Sequence, residues 1–125
     1  MKLVFDASSI FEAILRGRVR VLGGSYTLDL AKYELGNVLW KRAREDGEFI
    51  RLMGLIKRVL GVMEVTSLEC RESEVLKLAE ECGITFYDAS YAFLAMELGV
   101  PLVTEDGRLR KGVEGRVEVM ELSDL

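Results

Sequence analysis

The sequence predicts an α/β fold, a three-layer α/β/α unit on a central parallel sheet, in one domain spanning residues 1–125. Two observations carry this. Short apolar runs of extended character alternate with stretches of helical periodicity along the whole chain, the pattern of repeated strand–helix units. The first run, Leu3-Val4-Phe5, is apolar at every position, as a strand buried on both faces should be. A chain of 125 residues, half of them hydrophobic, is long enough to bury a real core.

Asp6 stands where the first strand should end, and Ile10, Phe11, Ala13, Ile14 and Leu15 follow with helical spacing. Arg16 to Arg20 reads as a basic loop, Gly23-Gly24-Ser25 as a turn, and Tyr26-Thr27-Leu28 as a short strand. A helix capped by Thr27 or Asp29 should run to about Asp46 and stop at Gly47. Its apolar stripe is Ala31, Leu35, Val38 and Leu39, with Glu34, Asn37 and Lys41 on the border. The helix expected over Glu48 to Val59 has a wide apolar surface that includes Phe49, Ile50, Leu52, Met53, Leu55 and Ile56. That surface, with Trp40, suits either core burial or a partner.

Val62 to Val65 reads as a strand, and a helix beginning at Ser67 or Glu69 should end at Gly83. Ile84-Thr85-Phe86-Tyr87 reads as extended, and Asp88 opens a helix that stops at Gly99. Pro101 to Thr104 is a buried strand with its proline at the start, where it is tolerated. Glu105-Asp106-Gly107 is a turn, and Val117 to Met120 alternates like an edge strand.

Absences narrow the chemistry. The chain has no histidine, no glutamine and a single asparagine, Asn37. Ser-His-Asp and Cys-His nucleophilic centres are excluded, as is histidine acid–base hydrolysis of RNA. Cys70 and Cys82 flank one expected helix and lie about 18 Å apart along it, too far to pair. With no histidine and no CxxC, zinc has no site. No apolar run is long enough to span a bilayer and the first strand is too short and acidic for a signal peptide. No membrane association and a cytoplasmic location are therefore expected. The net charge of −4 argues against a broad basic face. Setting four acids aside for a metal site would leave 17 residues of each sign.

Three times an extended run ends at an aspartate: Asp6, Asp88 and Asp106. In a parallel sheet these would lie along one edge, where open α/β proteins bind ligands. Glu34 is a fourth candidate, from the helix border. Carboxylates gathered without basic partners resist ionisation unless a cation joins them, and a hard divalent ion is the usual one. Such a site acidifies a bound water and aligns a phosphodiester. Each acid also has a plainer reading. Asp6 and Asp88 suit helix caps, Asp106 before Gly107 suits a turn, and Glu34 suits a pair with Lys41 or open solvent.

The series Asp6-Ala7-Ser8-Ser9-Ile10, Tyr33-Glu34-Leu35-Gly36-Asn37, Tyr87-Asp88-Ala89-Ser90-Tyr91 and Leu102-Val103-Thr104-Glu105-Asp106 resembles the PIN-domain family. More narrowly it is similar to the small VapC toxin group. The resemblance covers essentially the whole chain. It implies a five-stranded parallel sheet and a Mg²⁺- or Mn²⁺-dependent endoribonuclease using one or two ions. It places Asp6, Glu34, Asp88 and Asp106 as the catalytic, metal-holding carboxylates. Ser8 and Thr104 would orient carboxylates, or merely cap, and Asn37 would neighbour the site. A VapB-type antitoxin, a homodimer and RNA are the implied partners. The expected chemistry is in-line attack of a metal-bound water on phosphorus, leaving a 3′-hydroxyl and a 5′-phosphate. Arg16, Arg18, Arg20, Lys41, Arg42, Arg44, Arg108, Arg110 and Lys111 either flank the site or form a solvated face.

Other small α/β proteins fit less well. A receiver-type domain wants paired acids after strand one and an aspartate after strand three, where this chain has Ala7-Ser8 and Glu64-Val65-Thr66. A haloacid-dehalogenase-type phosphatase wants a second aspartate at the position of Ser8. The alternatives are a PIN-like nuclease acting on DNA or on nucleic-acid structure, and a non-catalytic metal-binding interaction module.

Overall fold

A computed structural model describes residues 1–43 and 48–125. In chain order the elements are β1 (Val4–Phe5), α1 (Ala7–Leu15), a 3-10 turn (Val19–Leu22), β2 (Tyr26–Leu28), α2 (Leu30–Ala43) and α3 (Phe49–Val62). They continue with β3 (Glu64–Thr66), α4 (Glu72–Cys82), α5 (Phe86–Leu98), β4 (Leu102–Val103), α6 (Gly107–Gly112), β5 (Val119–Met120) and a closing 3-10 turn (Leu122–Asp124). The five strands pair in parallel in the order β3-β2-β1-β4-β5. The three-layer α/β/α architecture with a five-stranded parallel sheet is the one expected.

The order explains why β1 reads as it does. It is the central strand, with Val4 beside Leu102 and Phe5 beside Val103, and both its residues are fully buried. From β1 the chain steps outward through β2 to β3, then returns to the other side of β1 as β4 and β5. Right-handed crossovers in opposite directions put α1, α2 and α3 on one face and α4 and α5 on the other. The switch point lies between the carboxyl ends of β1 and β4, where a crevice opens. Burial of Phe5, Ile10, Leu22, Leu35, Ile56, Tyr91, Leu102, Leu109 and Leu122 forms the centre of one hydrophobic core.

Helix ends follow sequence. Gly83 and Gly99 close α4 and α5 in the left-handed conformation, with φ of 65° and 67°, which glycine adopts without a Cβ clash. Three expectations need correction. Ile84–Tyr87 is not a strand: the Thr85 hydroxyl accepts the Asp88 amide at 3.0 Å and caps a helix beginning at Phe86. That local bond outweighs the β-preference of two aromatic residues. Six extended segments in sequence thus become five strands. Next, Val62 belongs to α3, and the third strand shifts to Glu64–Thr66. Finally, α4 begins at Glu72, because Cys70 has φ of 67° and cannot lie in a right-handed helix.

The expected stop of α2 near Asp46 and Gly47 lies outside the described residues, as does Arg44. The apolar face of α3 divides: Leu52, Ile56 and Val59 are core, while Phe49 and Ile50 are exposed beside Trp40 along a groove of about 540 Å³. Cys70 and Cys82 are free thiols. Among the described residues no helix is long and apolar enough to cross a membrane.

Candidate active site

The crevice at the switch point is a cleft of about 490 Å³, lined by Asp6, Glu34, Asp88 and Asp106 together with Glu12, Glu105, Ser8, Asn37 and Tyr91. Four acids singled out in the sequence, from four separate stretches, therefore meet at one place. Glu12 and Glu105 are additional acids that sequence reasoning missed. Among the described residues no lysine or arginine lines the cleft.

Asp6 is the fixed point. Its backbone N–H donates to the Val103 carbonyl at 3.2 Å, holding the residue to β4 just past the last paired strand position. It caps α1: Oδ1 accepts from the Ser9 amide at 2.9 Å and from Ser8 Oγ at 2.8 Å. Oδ2 accepts from the Thr104 hydroxyl in a very short bond. Ser9 Oγ lies 3.0 Å from Asp6 Oδ1 and 2.9 Å from the Val103 carbonyl, so its one proton bridges β1 and β4.

Ser8 and Thr104 each commit their single proton to Asp6, so their own 3.3 Å approach is a contact rather than a further strong bond. With its lone pairs Thr104 Oγ1 accepts the Asp106 amide at 3.0 Å, and Ser8 Oγ accepts the Glu105 amide at 3.1 Å. These two hydroxyls fasten the loop after β4 onto the loop after β1.

Asp106 caps α6, its Oδ1 accepting from the amides of Arg108 at 2.8 Å and Leu109 at 3.4 Å. Asp88 stands in the first turn of α5, where the helix dipole favours a negative charge. Glu34 projects from α2 at the edge of its buried stripe and accepts the Tyr91 hydroxyl at 2.6 Å, a bond from α5 across the top of the sheet. Asn37 is exposed at the rim.

The acids burden one another. Burial pushes Asp6 above the usual carboxylate range, and the bonds from Thr104, Ser9 and Ser8 pull it part of the way back. Burial raises Glu34 as well, opposed by the Tyr91 bond and reinforced by the Asp6 charge. Asp88 is pushed up to about 6, first by burial and then by the charges of Asp106 and Asp6, with a smaller push from Glu34. Tyr91 is raised in turn by burial and by its bond to Glu34, and it stays a donor. A divalent cation matches this donor set in kind, since every candidate ligand is a hard carboxylate oxygen. Among the described residues, however, no three acids or cysteines are already drawn close enough to hold an ion.

Four residues of the expected basic flank have partners in the structure. One of these, Arg16, pairs with the cleft residue Glu12 at 2.7 Å, and Arg18 donates to the carbonyls of Leu122 and Leu125 at 2.9 and 2.7 Å. Arg110 faces Glu121 and Asp124 at 3.9 and 4.0 Å, and Arg42 lies over the Phe11 ring at 5.5 Å.

The PIN domain family matches residues 3–114. A Pyrobaculum aerophilum protein named exonuclease VapC9 is 41% identical over 96 residues, which cover 76% of this chain and 71% of that one. Ribonuclease VapC3 of the same organism is 33% identical over 121 residues, covering 87% of this chain and 92% of its own. Among solved structures, PAE2754 from P. aerophilum superposes with a TM-score of 0.85 at 31% identity, over 99% of this chain and 92% of the other. The DNA-bound VapBC structure from Salmonella typhimurium, 15% identical, matches 97% of this chain and 98% of that one with a TM-score of 0.71, a likeness of fold. With the family spanning residues 3–114 and VapC-named relatives above 30% identity across most of the chain, this protein belongs to the PIN-domain family and is a VapC-type member of it.

Proposed function

We propose that the chain is a metal-dependent endoribonuclease, the toxin of a VapBC-type pair, which hydrolyses RNA phosphodiesters in the acidic cleft. The observation that carries this is the convergence of Asp6, Glu34, Asp88 and Asp106 on one cleft in whose lining, among the described residues, there is no lysine or arginine. Burial first, and then the charges of Asp106 and Asp6, push Asp88 up to about 6, and a cation would relieve the part that comes from repulsion.

Asp6, Asp88 and Asp106, with Glu34 completing the set or holding a water, would bind one or two Mg²⁺ or Mn²⁺ ions. Bound there, a divalent ion supplies a water of lowered pKa and neutralises charge on the phosphate. The chain's own part is positional. Ser8, Ser9 and Thr104 hold Asp6 in a single orientation, and Tyr91 keeps Glu34 turned to the cleft until the site closes on its ligands. Hydrolysis would leave a 3′-hydroxyl and a 5′-phosphate. A VapB-type antitoxin partner, a homodimer, action in the cytoplasm and residues 1–125 working as one domain belong to the same proposal, and the VapC names of the relatives bear on the antitoxin alone.

The test is cleavage of a pool of single-stranded and hairpin RNAs by wild type and Asp6→Asn, each in Mg²⁺, in Mn²⁺ and in chelator. Metal-dependent cutting that vanishes in the variant is expected. A folded, metal-loaded wild type that cuts none of the pool would overturn the proposal. The exonuclease name of the VapC9 relative favours a second reading, in which cutting proceeds from strand ends. Ladders from 5′- and 3′-labelled strands separate the two.

A further inference from the structure

A second, smaller pocket of about 170 Å³ opens beside the acidic cleft, lined by Leu28, Asp29, Leu30, Leu68, Phe86, Tyr87 and Ser90. Its floor comes from the carboxyl end of β2, the strand next to β1, so it lies along the same sheet edge as the acidic cleft. Its wall is the first turn of α5. Asp88 follows Tyr87 directly and lines the acidic cleft, as does Tyr91 one turn further on. One helix turn thus presents an acid to one pocket and two aromatic rings to the other.

Those rings are unusually open. Tyr87 is 58% exposed and Phe86 39% exposed, although both stand at the head of a helix that is buried from Ala89 to Ala95. Besides the Tyr87 hydroxyl, the pocket's polar side chains offer acceptors. The Asp29 carboxylate lies at the surface, and Ser90 Oγ donates its one proton to the Phe86 carbonyl at 2.9 Å, leaving lone pairs.

Charge bears on what fits here. Without a cation, a cleft lined by six carboxylates repels a polyanion, and among the described residues no lysine or arginine lines either pocket. Beyond what a bound cation contributes, these two pockets add affinity through the uncharged parts of a substrate. A flat, mostly apolar ring with N–H groups on its edge matches two exposed aromatic rings, an apolar floor and acceptors at the rim.

On the basis of the nuclease reading above, we propose that Tyr87 and Phe86, over the floor of Leu28, Leu30 and Leu68, form a stacking site for an unpaired nucleobase next to the scissile phosphate. The site selects single-stranded RNA, since a paired base keeps its face against its neighbours. It tolerates any base, because every base has a ring face and at least one N–H donor.

The test is fluorescence anisotropy of a labelled single-stranded oligoadenylate on the full chain in chelator, where binding is read without cleavage. Tyr87→Ala and Phe86→Ala should each weaken binding roughly 10-fold, while Tyr87→Trp keeps it. One abasic linker in the strand should cost the same factor on wild type and nothing further on Tyr87→Ala. Circular dichroism of each variant checks that α5 is intact. Unchanged affinity and cutting in a folded Tyr87→Ala, or a blunt duplex bound as tightly as the single strand, would overturn this site and leave the nuclease reading standing. A wild type that neither binds nor cuts RNA, with any of the metals, would overturn both.

Discussion

On the β1–β4 side of the cleft, both oxygens of Asp6 are met by donors from Ser8, Ser9 and Thr104, and Asp106 is tied to the amides of its own helix. On the α2–α5 side, Glu34 is held by the Tyr91 hydroxyl, and Asp88 has the Thr85 hydroxyl beside it and otherwise faces acids. One wall is locked by short local bonds made within two adjacent loops. The other hangs on a glutamate and an aspartate from two helices on opposite faces of the sheet. The difference teaches where adjustment must come from when a cation enters. Asp6 and Asp106 set the frame, and Glu34 and Asp88 move to it.

The largest effect should come from disturbing the locked wall. Asp6→Asn puts an amide N–H₂ against the hydroxyl and amide donors that now converge on a carboxylate. Cleavage should fall by at least about 100-fold, and stability by about 1–3 kcal/mol, read by RNA cutting and by urea denaturation. Next comes Thr104→Val, which keeps the shape but strips Asp6 Oδ2 of its donor and the Asp106 amide of its acceptor. A cost of about 1–3 kcal/mol is expected in the same denaturation experiment, with slower cutting.

The loose wall predicts a pH signature in the metal-free protein. The Asp88 pKa is about 6 when folded, against 3.8 for the free side chain, so the folded state holds its proton more tightly. Stability from this group is therefore greatest below pH 3.8 and is lost as pH rises through about 6. Asp88→Asn should match wild type near the lower limit and exceed it by about 1 kcal/mol at neutral pH, a value discounted for solvent screening at a half-exposed group. Urea titrations across that range measure the gap. Saturating Mg²⁺ or Mn²⁺ should close it by stabilising wild type alone.

The smallest change is Tyr91→Phe. It deletes the bond to Glu34 while keeping the buried ring, costing about 1 kcal/mol or less in a thermal melt. Because that bond draws Glu34 down, its loss should push the Glu34 carboxyl higher and weaken ion binding severalfold by titration calorimetry. A Tyr91→Phe protein with unchanged ion affinity would erase the distinction between the walls.

The locked wall was also the legible one. Leu3-Val4-Phe5 and Leu102-Val103 are apolar runs that stop at a polar residue, and such a stop is visible in one dimension. Glu34 was readable from its angle on the α2 stripe. Asp88 does line the cleft, but from the first turn of a helix rather than from the end of a strand. The Thr85-x-x-Asp88 spacing is a capping pattern and was the available signal. Tyr91 was absorbed into the apolar series of its helix, since nothing local reveals that its hydroxyl reaches a residue 57 positions away. Arg18 was equally opaque, because its partners lie at the far end of the chain.

Asp6 and Asp106 each cap a helix and Asp88 lies in the first turn of another, so three helix starts face the same hollow. Part of the counter-charge that lets these acids coexist is therefore written in the main chain, in oriented peptide groups that no side-chain replacement can delete. Divergence at this surface can recolour the acids one by one while the scaffold continues to supply the same field. That gives the arrangement a tolerance to drift which a lysine-balanced cluster, dependent on each partner's survival, would lack.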